Sequence, residues 1–166
     1  RPVMLGHLKM DMNRSAKTCD AAGVQQPEEW GWHSGVSGDR IMSSTTSGTS
    51  GGVRDNLHIY LDVAGKPDVI TLLIGTNDLG SDMSVDETFV AYTNVVWEIA
   101  RQSPDTKIVA STLLDRTNNA TGAAGKVGPF NALLLSNLAN LPANCFCTNI
   151  YAAVPQSISG AYFDGL

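Results

Sequence analysis

Uninterrupted apolar runs separated by turn residues dominate the second half of the chain. Val69, Ile70, Leu72, Leu73 and Ile74 follow one another with almost no polar alternation, the pattern of a strand covered on both faces. Arg1 to Leu5, ending at Gly6, reads as a first strand of the same kind, and Lys107 to Thr112 and Phe146 to Ile150 as later ones. Helical spacing alternates with these runs. Val53, Leu57 and Ile59 to Leu61 predict a helix closed by Gly65-Lys66-Pro67. Ser84 with Glu87 three residues later predicts a capping box, and Val85, Phe89, Tyr92, Val96 and Ile99 then form one apolar stripe that Pro104 ends. Pro129 opens a further helix through about Leu138, with Leu133, Leu134 and Leu138 facing inward. Residues 10–52 differ. They are rich in Gly, Ser and Thr, with SSTTSGTSGG at 43–52 the loosest part, and predict long loops with at most a short helix over Asp39 to Met42.

Strands alternating with helices predict an α/β domain with a parallel sheet covered on both faces. Such sheets place their chemistry in the crevice beyond the carboxyl ends of the strands, where Gly6 and Gly75 fall. The chain of 166 residues is expected to form one domain, 1–166, and contains no internal repeat. Charged residues are only 16% of the chain and the net charge is −5, with Lys and Arg scattered rather than gathered on a face. Nucleic acid is therefore excluded as an expected partner, and no stretch approaches the roughly 20 apolar residues of a membrane span. A monomer is expected.

Cys19, Cys145 and Cys147 permit at most one intrachain disulfide. Cys145 and Cys147 share a face if their segment is a strand. No cluster of four Cys or His ligands at short spacing suggests zinc, so no metal or organic cofactor is expected. Asn13-Arg14-Ser15 and Asn119-Ala120-Thr121 are glycosylation sequons. With the low charge, they give the expectation of a secreted protein.

Three stretches carry candidate chemistry. In Gly75-Thr76-Asn77-Asp78 the glycine turns the backbone off the strand, and the Asn amide has two donors that a rigid strand can aim at a developing negative charge. By itself, an Asn-Asp pair capping the next turn is the slightly better reading. In GWHSGVSGDRI, residues 31–41, the glycines could present a backbone N–H to the same charge, although a plain surface loop is the commoner use of such a sequence. His33 is a candidate base or an ordinary loop histidine. Asp164-Gly165-Leu166 is the third stretch, and an Asp there means nothing alone.

Together these stretches resemble the SGNH or GDSL hydrolase family, and especially its acetylxylan esterase-like carbohydrate esterases. GTND at 75–78 is similar to the family's third block, whose Asn donates its side-chain amide. HSGVSGDRI resembles the second-block loop, aligning Gly35 with the oxyanion glycine and leaving Gly38 as the alternative. FNALL at 130–134 resembles the helix before the family's last strand, and FDGL resembles the start of the fourth block, which gives Asp164 the role of the triad acid.

The resemblance implies a three-layer α/β/α sandwich of flavodoxin-like type with about five parallel strands. It implies ester hydrolysis by a Ser-His-Asp mechanism, with a small-molecule or polysaccharide ester such as acetylated xylan as substrate. Asp164 would be catalytic, and Gly35 and Asn77 would form the oxyanion hole. Two positions depart from the pattern. After Gly6 the family's Asp and Ser positions hold His7 and Leu8, and the fourth-block histidine position falls beyond Leu166, with none of His7, His33 and His58 matching it. A leucine cannot act as a nucleophile, so a non-catalytic carbohydrate-binding module on the same scaffold is the alternative expectation. Asp78 is expected to brace the turn rather than perform chemistry.

Overall fold

The structure is a computed structural model that describes residues 8–9, 32–33, 40–42, 52–63, 66–81, 83–114 and 125–153. Its centre is a parallel sheet of three strands, β3 (Val69–Leu72), β4 (Lys107–Ser111) and β5 (Cys145–Thr148), in that spatial order. A separate antiparallel pair joins β1 (Leu8–Lys9) to β2 (Trp32–His33). The helices are α1 (Val53–Val63), α2 (Thr76–Leu79), α3 (Val85–Gln102), α4 (Val127–Ser136) and α5 (Ile150–Ala153). This is the α/β organisation expected from the alternating pattern.

Register explains which side chains form the core. Ile70 lies beside Ile108 and Cys145, and Leu72 beside Ala110 and Cys147. These positions belong to the core or pack against it, together with Tyr92, Val95, Val96 and Ile99 of α3 and Phe130 and Leu134 of α4. Tyr92 and Phe130 meet edge to face at a centroid distance of 5.6 Å, and Phe89 adds a second such contact to Phe130 at 6.4 Å. The capping box at Ser84 and Glu87 is formed in both directions and starts α3 where the sequence predicted.

The intervening row of the sheet, Thr71 beside Val109 and Phe146, turns the other way. On this side Val69, Leu73 and Phe146 are all more than half exposed. The expectation of a β3 run buried on both faces is therefore corrected: β3 is an edge of the described sheet, and its outer row stays open. Four smaller corrections follow. Regular β3 stops at Leu72 and β5 at Thr148, so Ile150 begins α5 rather than ending a strand. The α4 helix ends at Ser136, where Asn137 Nδ2 donates to the Leu133 carbonyl at 2.9 Å, and a 3-10 turn at Leu138–Asn140 leaves Leu138 exposed instead of inward. Trp32–His33 is a strand inside a region read as loop. Residues 41–42 form a bend, not a short helix, because the Ile41 N–H bonds a distant side chain instead of a helical carbonyl. The predicted strand Arg1 to Leu5 lies outside the described residues.

One polar side chain inside α4 braces the sheet. Asn131 is buried, accepts from Leu113 N–H at 2.7 Å and donates to Leu113 C=O at 2.8 Å, so it pairs with the end of β4 as a neighbouring strand would. Asn131→Ala leaves both buried backbone groups without their partner, and is expected to lower stability by at least about 2 kcal/mol. Thermal unfolding checks this: a fall in Tm of roughly 4 °C or more is expected, and a shift below about 1 °C contradicts the brace.

Candidate functional site

The parallel strands direct their carboxyl ends to one edge, and three strand tips meet there. After Leu72 the chain runs extended to Gly75, which turns with φ 116° and ψ −15° into α2. Side chains rarely adopt this φ, which explains the glycine. A Cβ at Gly75 would find ordinary contacts only, 3.5 Å to Leu113 and Thr88 and 3.6 Å to Ile41. Backbone conformation, not space, sets the requirement.

The turn separates two adjacent side chains. Asn77 is half-buried on the first turn of α2. Asp78 is fully buried, and both its carboxylate oxygens accept from the Ile41 N–H, at 3.0 and 3.1 Å. The Met42 backbone N–H also favours the charged form of this carboxylate. Loss of water pushes the Asp78 carboxyl above its ordinary 3.8, and this outweighs the lowering by those N–H groups and by the Arg40 charge.

Segment 40–42 is held from its other side by the start of α1. Val53 N–H donates to Arg40 C=O at 2.9 Å, and Arg54 N–H to Ile41 C=O at 3.1 Å. Gly52 lies against the Met42 backbone so closely that a Cβ would come within 2.4 Å of the Met42 carbonyl carbon. On the far flank of α2, Lys126 Nζ donates to the carbonyls of Leu79, Ser81 and Met83 at 3.0 to 3.3 Å. The β4 and β5 tips are tied in turn: Tyr151 N–H donates to Thr112 Oγ1 at 3.0 Å, and Thr112 Oγ1 donates to Asn149 Oδ1 at 3.3 Å.

The sequence-predicted residues are placed as follows. Asn77 is at the strand tip as expected. Gly35, Gly38 and Asp164 lie outside the described residues. Leu8, which the resemblance aligns with the family's nucleophile, is in β1 and pairs through the backbone with His33, two residues before Gly35. His58 is exposed on α1. Asp78 was expected to brace the turn, but its partner Ile41, and the ties made by Lys126 and Asn131, were not read from the sequence. A signal existed only for Asn131, a polar residue set among Phe130, Leu133 and Leu134. A groove of about 990 Å³ between α1 and α3, lined by Arg54, Asn94, Trp97, Glu98 and Arg101 among others, shares no residue with the strand tips.

The sequence model of the GDSL-like Lipase/Acylhydrolase family matches residues 13–144, most of the chain of 166. The matched stretch contains Gly35 and Asn77 and neither Leu8 nor Asp164. No curated protein matches the chain.

The raised Asp78 carboxyl has a defined effect on stability. Above about 3.8 the unfolded chain releases this proton while the folded chain still holds it, so stability falls as pH rises toward the folded pKa and then levels. Asp78→Asn removes that slope. Denaturant midpoints measured against pH are expected to show the stability of the wild type, relative to Asp78→Asn, declining with pH across this window; a rising difference contradicts the assignment.

Proposed function

Because the chain belongs to the GDSL-like lipase/acylhydrolase family, we propose that it derives from carboxylic ester hydrolases of SGNH type that deacetylate a polysaccharide such as xylan. Attack on an acetyl ester places negative charge on the carbonyl oxygen. Two donors fixed beforehand at that point stabilise it more than mobile water can. In this reading the donors are the Asn77 side-chain amide and the Gly35 backbone N–H, and Asp164 orients a histidine base that activates a serine. The scaffold is the three-layer, five-strand sandwich of a secreted monomer.

The observation that supports this reading is the station of Asn77. It follows the buried Gly75 turn at the carboxyl end of β3, on a helical turn whose next side chain is locked inside the protein. The backbone that carries Asn77 thus has the rigidity an oxyanion donor requires of its support.

A second reading rests on Leu8. With an alkyl side chain at the nucleophile position, the same scaffold would bind a carbohydrate ester without cleaving it. Hydrolysis of an aryl acetate separates the two. The esterase reading expects turnover whose kcat falls roughly 10²- to 10³-fold in Asn77→Ala. Saturable binding of xylo-oligosaccharides with no turnover by the wild type establishes the binding module instead.

A further inference from the structure

We propose that the groove between α1 and α3 binds an uncharged oligosaccharide, with the Trp97 indole packed against a sugar ring and Asn94, Arg54 and Arg101 hydrogen-bonded to its hydroxyls. The site shares no residue with the strand tips. Its role, to hold the polymer whose acetyl groups are removed there, rests on the polysaccharide reading above; occupancy of the groove does not depend on turnover.

Shape and composition carry the argument. The groove encloses about 990 Å³, at the upper end of the roughly 300–1,000 Å³ of small-ligand sites. Trp97 lines it and is 52% exposed, the bulkiest of the exposed apolar side chains among the described residues. A single exposed apolar residue needs no explanation by itself. An indole set in a concave groove beside fixed polar groups has the composition of a ligand site.

Those polar groups are fixed by one another. Glu98 accepts from Arg101 Nε at 2.9 Å and from Gln102 Nε2 at 2.6 Å, and these bonds, Arg101's foremost, hold its carboxyl down to about 2. Arg54 Nη1 donates to Met42 Sδ at 3.5 Å. A guanidinium carries five N–H donors, so both arginines keep donors for a ligand.

Charge selects the ligand class. Arg54 and Arg101 stand against Asp55 and Glu98 in the lining, two cations against two carboxylates. A phosphate or a polyanion finds no net field to draw it in. Hydroxyls both donate and accept, and so suit paired charges of both signs, while the C–H face of a sugar ring supplies the apolar surface that an indole buries. Asn94, Trp97 and Arg101 follow at spacings of three and four on one face of α3. From Asn94 to Arg101 the helix rises about 10 Å, a length suited to a short oligosaccharide rather than one sugar. Arg54 also joins the groove to the candidate site: its N–H bonds the Ile41 carbonyl, and the Ile41 N–H bonds Asp78, the neighbour of Asn77.

The test titrates xylohexaose by calorimetry into the wild type, Trp97→Ala, Asn94→Ala and Asn77→Ala, with Tm as the check on folding. Saturable binding by the wild type is expected, weakened about tenfold or more in Trp97→Ala. Asn94→Ala is expected to weaken it about threefold, and decides the matter if Trp97→Ala does not fold. Asn77→Ala is expected to bind as the wild type does. No binding by the wild type, or binding that weakens in Asn77→Ala and not in the groove variants, overturns the proposal. Aryl acetate hydrolysis is followed in parallel, and Trp97→Ala is expected to keep the wild-type kcat and KM. Lost turnover in a folded Trp97→Ala would make Trp97 part of the reacting site and overturn a separate groove. Absence of turnover in the wild type defeats the esterase reading alone, and the titrations still decide the groove.

Discussion

The hydrogen bonds from the Ile41 N–H to both oxygens of the Asp78 carboxylate join two parts of the chain that no strand pairing connects among the described residues. On one side is the rigid β3 strand and its Gly75 turn. On the other is segment 40–42, bonded to the first residues of α1. The sheet supplies the rigidity, since β3 is hydrogen-bonded along β4 and packed under Tyr92 of α3. The carboxylate transfers that rigidity outward. Lys126 completes the frame by holding the chain after α2 through three carbonyls.

This edge of the sheet is also where the molecule departs from the most stable arrangement. A buried carboxyl is held against its preference for water, Gly75 occupies a backbone conformation closed to most residues, and Thr88 Oγ1, beside that glycine, is buried with no hydrogen-bond partner among the described residues. Ser103 Oγ, at the C-cap of α3, is likewise buried with no hydrogen-bond partner among the described residues, and the rest of the core is branched aliphatics with two edge-to-face aromatic contacts between α3 and α4.

Local rules made much of the scaffold legible. Ser84 and Glu87 predicted the start of α3 because a capping box needs only four consecutive residues, and Lys107 to Ser111 was readable because a buried strand is a short apolar run. Boundaries set by distant contacts were not readable. Ile41 forms a bend instead of a helix because its N–H serves Asp78, and Val69 and Leu73 are exposed because no described element covers their face. At the site, Asn77 was found through its motif, whereas the part played by Asp78 depends on a partner 37 residues away and has no local signature. Gly35 and Asp164 were assigned through resemblance alone.

The central claim is that one anion site is shared by a donor on the β3 tip and a donor on the glycine loop. A crystal structure of the protein grown with acetate tests it most directly, since the carboxylate places an oxygen where the reaction would place charge. The account predicts one acetate oxygen within about 2.7–3.1 Å of both Asn77 Nδ2 and the Gly35 N–H nitrogen. Acetate bound elsewhere, or the two nitrogens too far apart to reach one oxygen, would contradict it.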